Sequence, residues 1–163
     1  MADADQIPQL PPPPPELAVF QKDVGTWDAE VEIRPAPGAP AQLSRGVAVS
    51  KLIAGGRWLI TDFKNETSGF EGHGVYGWDA GRKQYTGVWV DPARSSLVVA
   101  NGTWDAAKRT LTFSAEAKFG ERTIQWREVT ESRDADTQVF RSLFPVPGGA
   151  DFEMMTVTYR RRR

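Results

Sequence analysis

Gly-Phe-Glu-Gly-His-Gly-Val-Tyr-Gly-Trp-Asp-Ala-Gly-Arg-Lys-Gln-Tyr-Thr-Gly-Val-Trp-Val-Asp, residues Gly69 to Asp91, decides the fold. Two runs rich in aromatic and β-branched residues flank Asp79-Ala80-Gly81-Arg82, where Asp and Gly tolerate the backbone angles of a tight reversal. The stretch reads as a β-hairpin. Glycines at 72, 74, 77 and 87 leave pits in a pleated surface, and Trp78, Tyr85 and Trp89 have the size to lie over them, a pattern suited to a strongly bent sheet.

The same theme extends in both directions. Trp27, Ala29, Val31 and Ile33 alternate with Asp28, Glu30, Glu32 and Arg34, the period of a strand with one buried and one wet face. Pro35 to Pro40 ends it. Further strands are predicted over 43–53, 57–66, 70–79, 82–91, 95–104, 109–117, 121–131, 137–144 and 152–162, separated by short clusters of turn residues. Such connections force sequential antiparallel pairing, because a parallel crossover needs about a dozen residues or more. About ten strands in a meander would expose two edges unless the sheet closed, and closure at this strand number leaves a cavity able to hold one small ligand. The expected fold is therefore an all-β, ten-stranded antiparallel barrel.

Before the strands, Met1 to Pro15 form a tail that ends in Pro11–Pro15, a run without amide donors that favours an extended polyproline conformation. Leu17, Phe20 and Val24 then recur at intervals of three and four before Gly25, which predicts one short amphipathic helix acting as a lid. The remaining chain, 16–163, is expected to be a single barrel domain.

Composition narrows the function classes. At 163 residues with 40% hydrophobic and 25% charged residues, the chain has the means to bury a core. Twenty basic residues against twenty-one acidic ones give no long-range field for nucleic acid or an anionic membrane, and Arg160–Arg163 reads as a solvated chain end. The absence of cysteine excludes disulfides, thiolate metal sites and a cysteine nucleophile. No basic-then-apolar leader and no apolar stretch of membrane-spanning length stand in the sequence, so the expected location is the cytoplasm.

The ordered series Gly25-Thr26-Trp27, Leu52-Ile53-Ala54-Gly55-Gly56-Arg57-Trp58, Phe70-Glu71-Gly72-His73-Gly74, Tyr76-Gly77-Trp78-Asp79 and Trp89-Val90-Asp91 resembles the successive signatures of the DUF1579 family, whose members have no established shared function. The helix entering Gly25-x-Trp27 is similar to the start of lipocalin-like, or calycin, barrels, which include fatty-acid-binding and nitrobindin-type proteins. That resemblance implies that an arginine of the last strand packs on the first-strand tryptophan; Arg160, after Tyr159, is the candidate to close the barrel on Trp27. Nitrobindin-type proteins ligate haem through a histidine near the C-terminus, whereas the single histidine here, His73, lies mid-chain.

Three sets of residues bear on chemistry. His73, between Gly72 and Gly74, is the catalytic candidate, because an imidazole titrates near neutrality and its neighbours leave room for a substrate. Trp58, Tyr76, Tyr85, Trp89, Trp126 and Phe140 are the candidate ligand-binding wall, since pockets for small molecules are mostly apolar with a few polar groups. Asp62 and Glu128 are the carboxylates that, if inward, burial would suit to proton transfer, while Asp79, Asp91 and Asp105 end strands and read as turn formers. One histidine and no cysteine leave no metal motif, and Gly72-x-Gly74-x-x-Gly77 lacks the helix that a dinucleotide site requires, so no metal or cofactor is expected.

Two function classes follow. The first is a binder of a small hydrophobic or aromatic molecule, entering at the end opposite the helix and needing no nucleic acid or membrane. The alternative is a cofactor-independent isomerase, cyclase or lyase that uses His73 or a buried carboxylate, with a tyrosine holding developing charge. Haem binding through His73 and a solid barrel acting only by its surface are further readings.

Overall fold

The computed structural model describes residues 10–163, so Met1–Gln9 of the expected tail lie outside the described residues. Pro14 has φ −56° and ψ 142°, the polyproline conformation, and the carbonyls of Pro11 and Pro12 accept hydrogen bonds from the Arg57 guanidinium. A 3-10 helix, Pro15–Asp23, follows. It buries Leu17 and Phe20, three apart, because a helix of three residues per turn puts such a pair on one face. Val24 has already left the helix at ψ 131°.

Ten antiparallel strands then form in chain order: β1 Gly25–Ile33, β2 Gln42–Ile53, β3 Trp58–Asn65, β4 Glu71–Asp79, β5 Gln84–Val90, β6 Val98–Asp105, β7 Thr110–Phe119, β8 Arg122–Ser132, β9 Thr137–Phe144 and β10 Phe152–Arg161. Each pairs with its neighbours in sequence and β10 pairs with β1, so the sheet is a closed barrel. Every predicted strand is present, with ends displaced by a few residues. The largest shift is at the start of β6, where Asp91–Leu97 make a loop instead of continuing the ladder.

Strong curvature needs places where side chains clear the backbone, and glycines supply them. A Cβ at residue 72 would lie 2.0 Å from the Trp89 ring, and one at residue 87 would lie 2.3 Å from the Tyr76 ring, which also covers Gly74. Trp58 covers Gly77 from the outer face, Phe63 covers Gly46 and Phe113 covers Gly102. Trp78 and Tyr85 pack on each other at 4.9 Å and not on a glycine.

The closing residue is Arg161, which corrects the assignment to Arg160. The register pairs Trp27 with Arg161, and the inward positions of β10 are Met155, Val157, Tyr159 and Arg161. Arg160, one residue out of phase, faces outward opposite Asp28 with its guanidinium 3.9 Å from Glu30. The Arg161 guanidinium lies 4.1 Å over the Trp27 ring and donates to the carbonyls of Val24 and Lys22, both at 2.7 Å. Trp27 Nε1 donates to the Asp23 carbonyl at 2.9 Å. Gly25 completes this latch: its φ of +131° disfavours a side chain, and a Cβ there would meet Arg161 at 2.9 Å.

Arg161→Gln is expected to destabilise the barrel by about 2–4 kcal/mol, the combined loss of a stacked cation and charge-assisted hydrogen bonds. Arg160→Gln should stay within about 0.5 kcal/mol of the parent, as exposed pairs usually do. Urea unfolding of the two variants checks both. Gly72→Ala is expected to cost about 1–3 kcal/mol in the same assay, because Trp89 cannot keep its place over a methyl group.

Candidate functional site

Strand alternation divides the aromatic residues between two faces. Tyr76 and Trp78 of β4, Tyr85 and Trp89 of β5, Trp104 of β6, Trp126 of β8, Phe140 of β9 and Tyr159 of β10 share the inward phase. Trp58, 38% exposed, lies on the outer face over Gly77. His73 is outward too: its Nδ1 is 2.7 Å from Asp62 Oδ1 across the β3–β4 pair, and its side chain is 57% exposed. Thus Tyr76, Tyr85, Trp89, Trp126 and Phe140 share the interior, while Trp58, His73 and Asp62 stand outside it.

The end of the barrel below the helix is filled. Phe20 is 1% exposed and meets Tyr85 edge-on at 5.6 Å, and the Tyr85 hydroxyl donates to the Glu16 carbonyl at 2.9 Å. Asp23 accepts from Gln138 Nε2 at 2.7 Å and pairs with Lys22; burial raises its pKa above the ordinary carboxylate value, against the pull of Lys22 and Arg161. This is a plug in which Asp23, Gln138 and the Tyr85 hydroxyl have partners, while the buried Ser132 hydroxyl opposite Gln138 has none among the described residues.

The middle of the barrel differs. The inward row Tyr76, Gly87, Ala100, Ala115, Trp126 places three small residues between two large aromatics. Tyr76, Glu128 and Tyr159 lie deep inside the protein and still keep partly accessible surface, the combination expected of side chains on the wall of an internal space. Phe140, Phe144 and Met155 are likewise inward and only half-buried. Trp126 and Phe144 stack at 5.4 Å to form part of this wall.

The inward acid is Glu128, not Asp62. Its Oε1 accepts from Trp126 Nε1 at 2.9 Å, its one side-chain hydrogen bond among the described residues. Burial raises its pKa, opposed by that hydrogen bond and by the positive charge of Arg94. The phenols of Tyr76 and Tyr159 are also pushed upward, first by burial and then by the charge of Glu128, and neither hydroxyl hydrogen-bonds to a described residue. A carboxyl and two phenols thus share the inward face, close enough for the charge of Glu128 to act on both hydroxyls.

The end opposite the helix carries the loop 91–97. There Asp91 Oδ2 accepts from Trp89 Nε1 at 3.0 Å and lies 3.5 Å from Arg94 Nη2, while Asp91 Oδ1 caps the Ala93 amide at 2.9 Å. The Arg94 guanidinium lies 5.1 Å over Phe119 and 6.0 Å over Trp126, so it reaches from the loop toward the interior. Two open depressions lie on the outer wall, one bounded by Gln84, Asn101 and Arg127 and one by Glu30, Arg45 and Thr67. Among the described residues no group of three His, Asp or Glu side chains gathers as a metal site would require, and no helix is long and apolar enough to cross a membrane.

Glu128 was open to sequence reasoning, because it stands two residues from Trp126 and shares its face. The outward phase of His73 follows in the same way from its odd spacing to Tyr76 and Trp78. Arg94 gave no such signal, since a loop has no period to show which residues turn inward.

The sequence matches the family described as protein of unknown function (DUF1579) over residues 12–161. No curated protein matches the chain. Among solved structures, Rv2717c from M. tuberculosis is similar with a TM-score of 0.67 at 13% identity, covering 93% of this chain and 99% of that one. The S-type phycobiliprotein lyase CPES from Guillardia theta is similar with a TM-score of 0.58 at 13% identity, covering 90% of this chain and 92% of that one. At these identities the likeness is one of fold.

Because the folded-state pKa of Glu128 lies above its unfolded value, its contribution to stability is fully present below the unfolded pKa and is lost as pH rises through the folded one. Glu128→Gln, which keeps an acceptor for Trp126, should therefore be more stable than the parent at pH ~8, by roughly 1–3 kcal/mol, and about equal to it near pH ~4. Thermal unfolding at the two pH values reads the difference.

Proposed function

This chain belongs to the DUF1579 family, and on that premise we propose that its barrel binds one small, largely apolar or aromatic molecule in the space bounded by Tyr76, Trp126, Phe140 and Tyr159. The observation that carries this reading is the set of polar groups deep in the barrel, the Tyr76 and Tyr159 hydroxyls and the second oxygen of Glu128, that have no partner among the described residues. These side chains lie deep yet keep some accessible surface, so in this reading the partners of their polar atoms are water or a ligand held in that space. Aromatic walls with a few convergent polar groups are what pockets for small molecules usually present. The ligand enters at the end opposite the helix, because Phe20, Tyr85 and Glu16 fill the other.

A second reading has its own observation. A carboxyl whose pKa is raised by burial, beside two phenols, is an arrangement in which an acid moves a proton and a hydroxyl holds developing negative charge. In that reading Glu128 takes the role first considered for His73, whose imidazole sits on the outer wall against Asp62. The same placement leaves the haem alternative without an imidazole inside the barrel.

Fluorescence titration with phenylnaphthylamine, an apolar probe, alongside native mass spectrometry, tests the binding reading. One probe molecule per chain is expected, with saturable tryptophan quenching. Trp126→Ala should weaken binding by about five- to tenfold, whereas Trp58→Phe and His73→Ala should leave it within about twofold. Absence of saturable uptake, or equal loss in the inner and outer variants, contradicts the reading. Turnover of a bound compound that Glu128→Gln abolishes without weakening binding would favour the enzyme.

A further inference from the structure

Among the described residues Arg94 is the guanidinium that lies against the inward aromatic wall at the open end, and it has more donors than partners. Arginine offers five N–H donors and no acceptor. Here Nη2 is 3.5 Å from Asp91 Oδ2, and Nε is enclosed with no hydrogen-bond partner. Asp91 is already shared: Oδ2 accepts from the Trp89 indole and Oδ1 from the Ala93 amide, and its side chain is only 3% exposed. Two aromatic rings lie near the guanidinium, Phe119 at 5.1 Å and Trp126 at 6.0 Å. The Arg94 side chain is 21% exposed, so a group that brings an anionic oxygen meets the terminal N–H groups of the guanidinium and forms charge-assisted hydrogen bonds there.

We infer that the bound molecule is an aromatic or apolar acid, its carboxylate or sulfonate held by Arg94 at the mouth while its apolar body lies along Trp126 and Phe144 toward Tyr76. This rests on the cavity reading above and adds the charge of the ligand. Glu128 lies deeper than Arg94, two residues beyond Trp126 on the same strand, and burial favours its neutral form, which limits repulsion of an entering anion. Among the described residues Asp91 is the carboxylate that pairs with Arg94, 3.5 Å from Nη2, and the Arg94 side chain keeps 21% exposure, which leaves terminal guanidinium donors to the ligand. The arrangement selects by charge at the mouth and by shape within.

Two probes that share one aromatic body separate the two claims: anilinonaphthalene sulfonate, which is anionic, and phenylnaphthylamine, which is neutral. Each is titrated into the parent, Arg94→Gln and Arg94→Lys, with circular dichroism confirming that the variants are folded. The parent should bind the sulfonate at least about tenfold more tightly than the neutral probe. Arg94→Gln should bring the two within about twofold of each other while leaving the neutral probe unchanged, and Arg94→Lys should fall between. Uptake of both probes by the parent without preference overturns this inference and leaves the cavity reading standing. Equal weakening of both probes in Arg94→Gln also overturns it, since Arg94 would then act only through packing. Uptake of neither probe overturns the cavity reading and this inference together.

Discussion

The hydrogen-bond ladder between the first and last strands, from Trp27 opposite Arg161 to Ile33 opposite Met155, is the constraint on which the rest of the structure depends. A meander of ten strands has two edges, and only their mutual pairing satisfies both without a partner. Pairing them fixes the phase of every strand between, because a slip of one residue would turn each inward side chain outward. The latch at the helix end acts at this seam. Arg161 ties β10 to β1 through the Trp27 ring and to the helix through the carbonyls of Lys22 and Val24.

Closure has a consequence for the interior. Ten strands enclose more room than a small core fills, and the glycines that permit the curvature remove side-chain volume from the inner wall. Tyr76 and Trp89 return some of it by lying over Gly74, Gly87 and Gly72. The helix fills the space below Tyr85 with Phe20. Between these fillings the inward row carries Ala100 and Ala115, and Glu128, Tyr159 and Phe140 share the same inward phase. The proposed internal space would thus follow from how the barrel closes as well as from which residues line it.

Much of the fold was legible because it rests on local period and turn chemistry. Alternation in Trp27–Ile33 and the Asp79–Arg82 reversal specify strands and hairpins whatever lies across the barrel. The inner face of a strand was legible wherever one large apolar residue anchors its phase, as Trp126 does for Glu128. It was not legible at the seam, where Tyr159, Arg160 and Arg161 follow one another and only the register with β1 says which arginine meets Trp27. Trp58 misleads for a related reason: size suggests the interior, yet its ring is seated on the outer pit left by Gly77. Arg94 was hidden because its place is set by loop geometry and by two aromatic faces brought from β7 and β8, far along the chain.

The central claim is that polar groups of the barrel interior face an occupied space and not one another. A high-resolution crystal structure of protein purified without denaturation tests it directly. Electron density from ordered water or a bound molecule is expected within hydrogen-bond distance of the Tyr76 hydroxyl, Glu128 and the terminal nitrogens of Arg94. An interior without such density, in which these groups hydrogen-bond directly to other side chains and the aromatics close over Ala100 and Ala115, would contradict it.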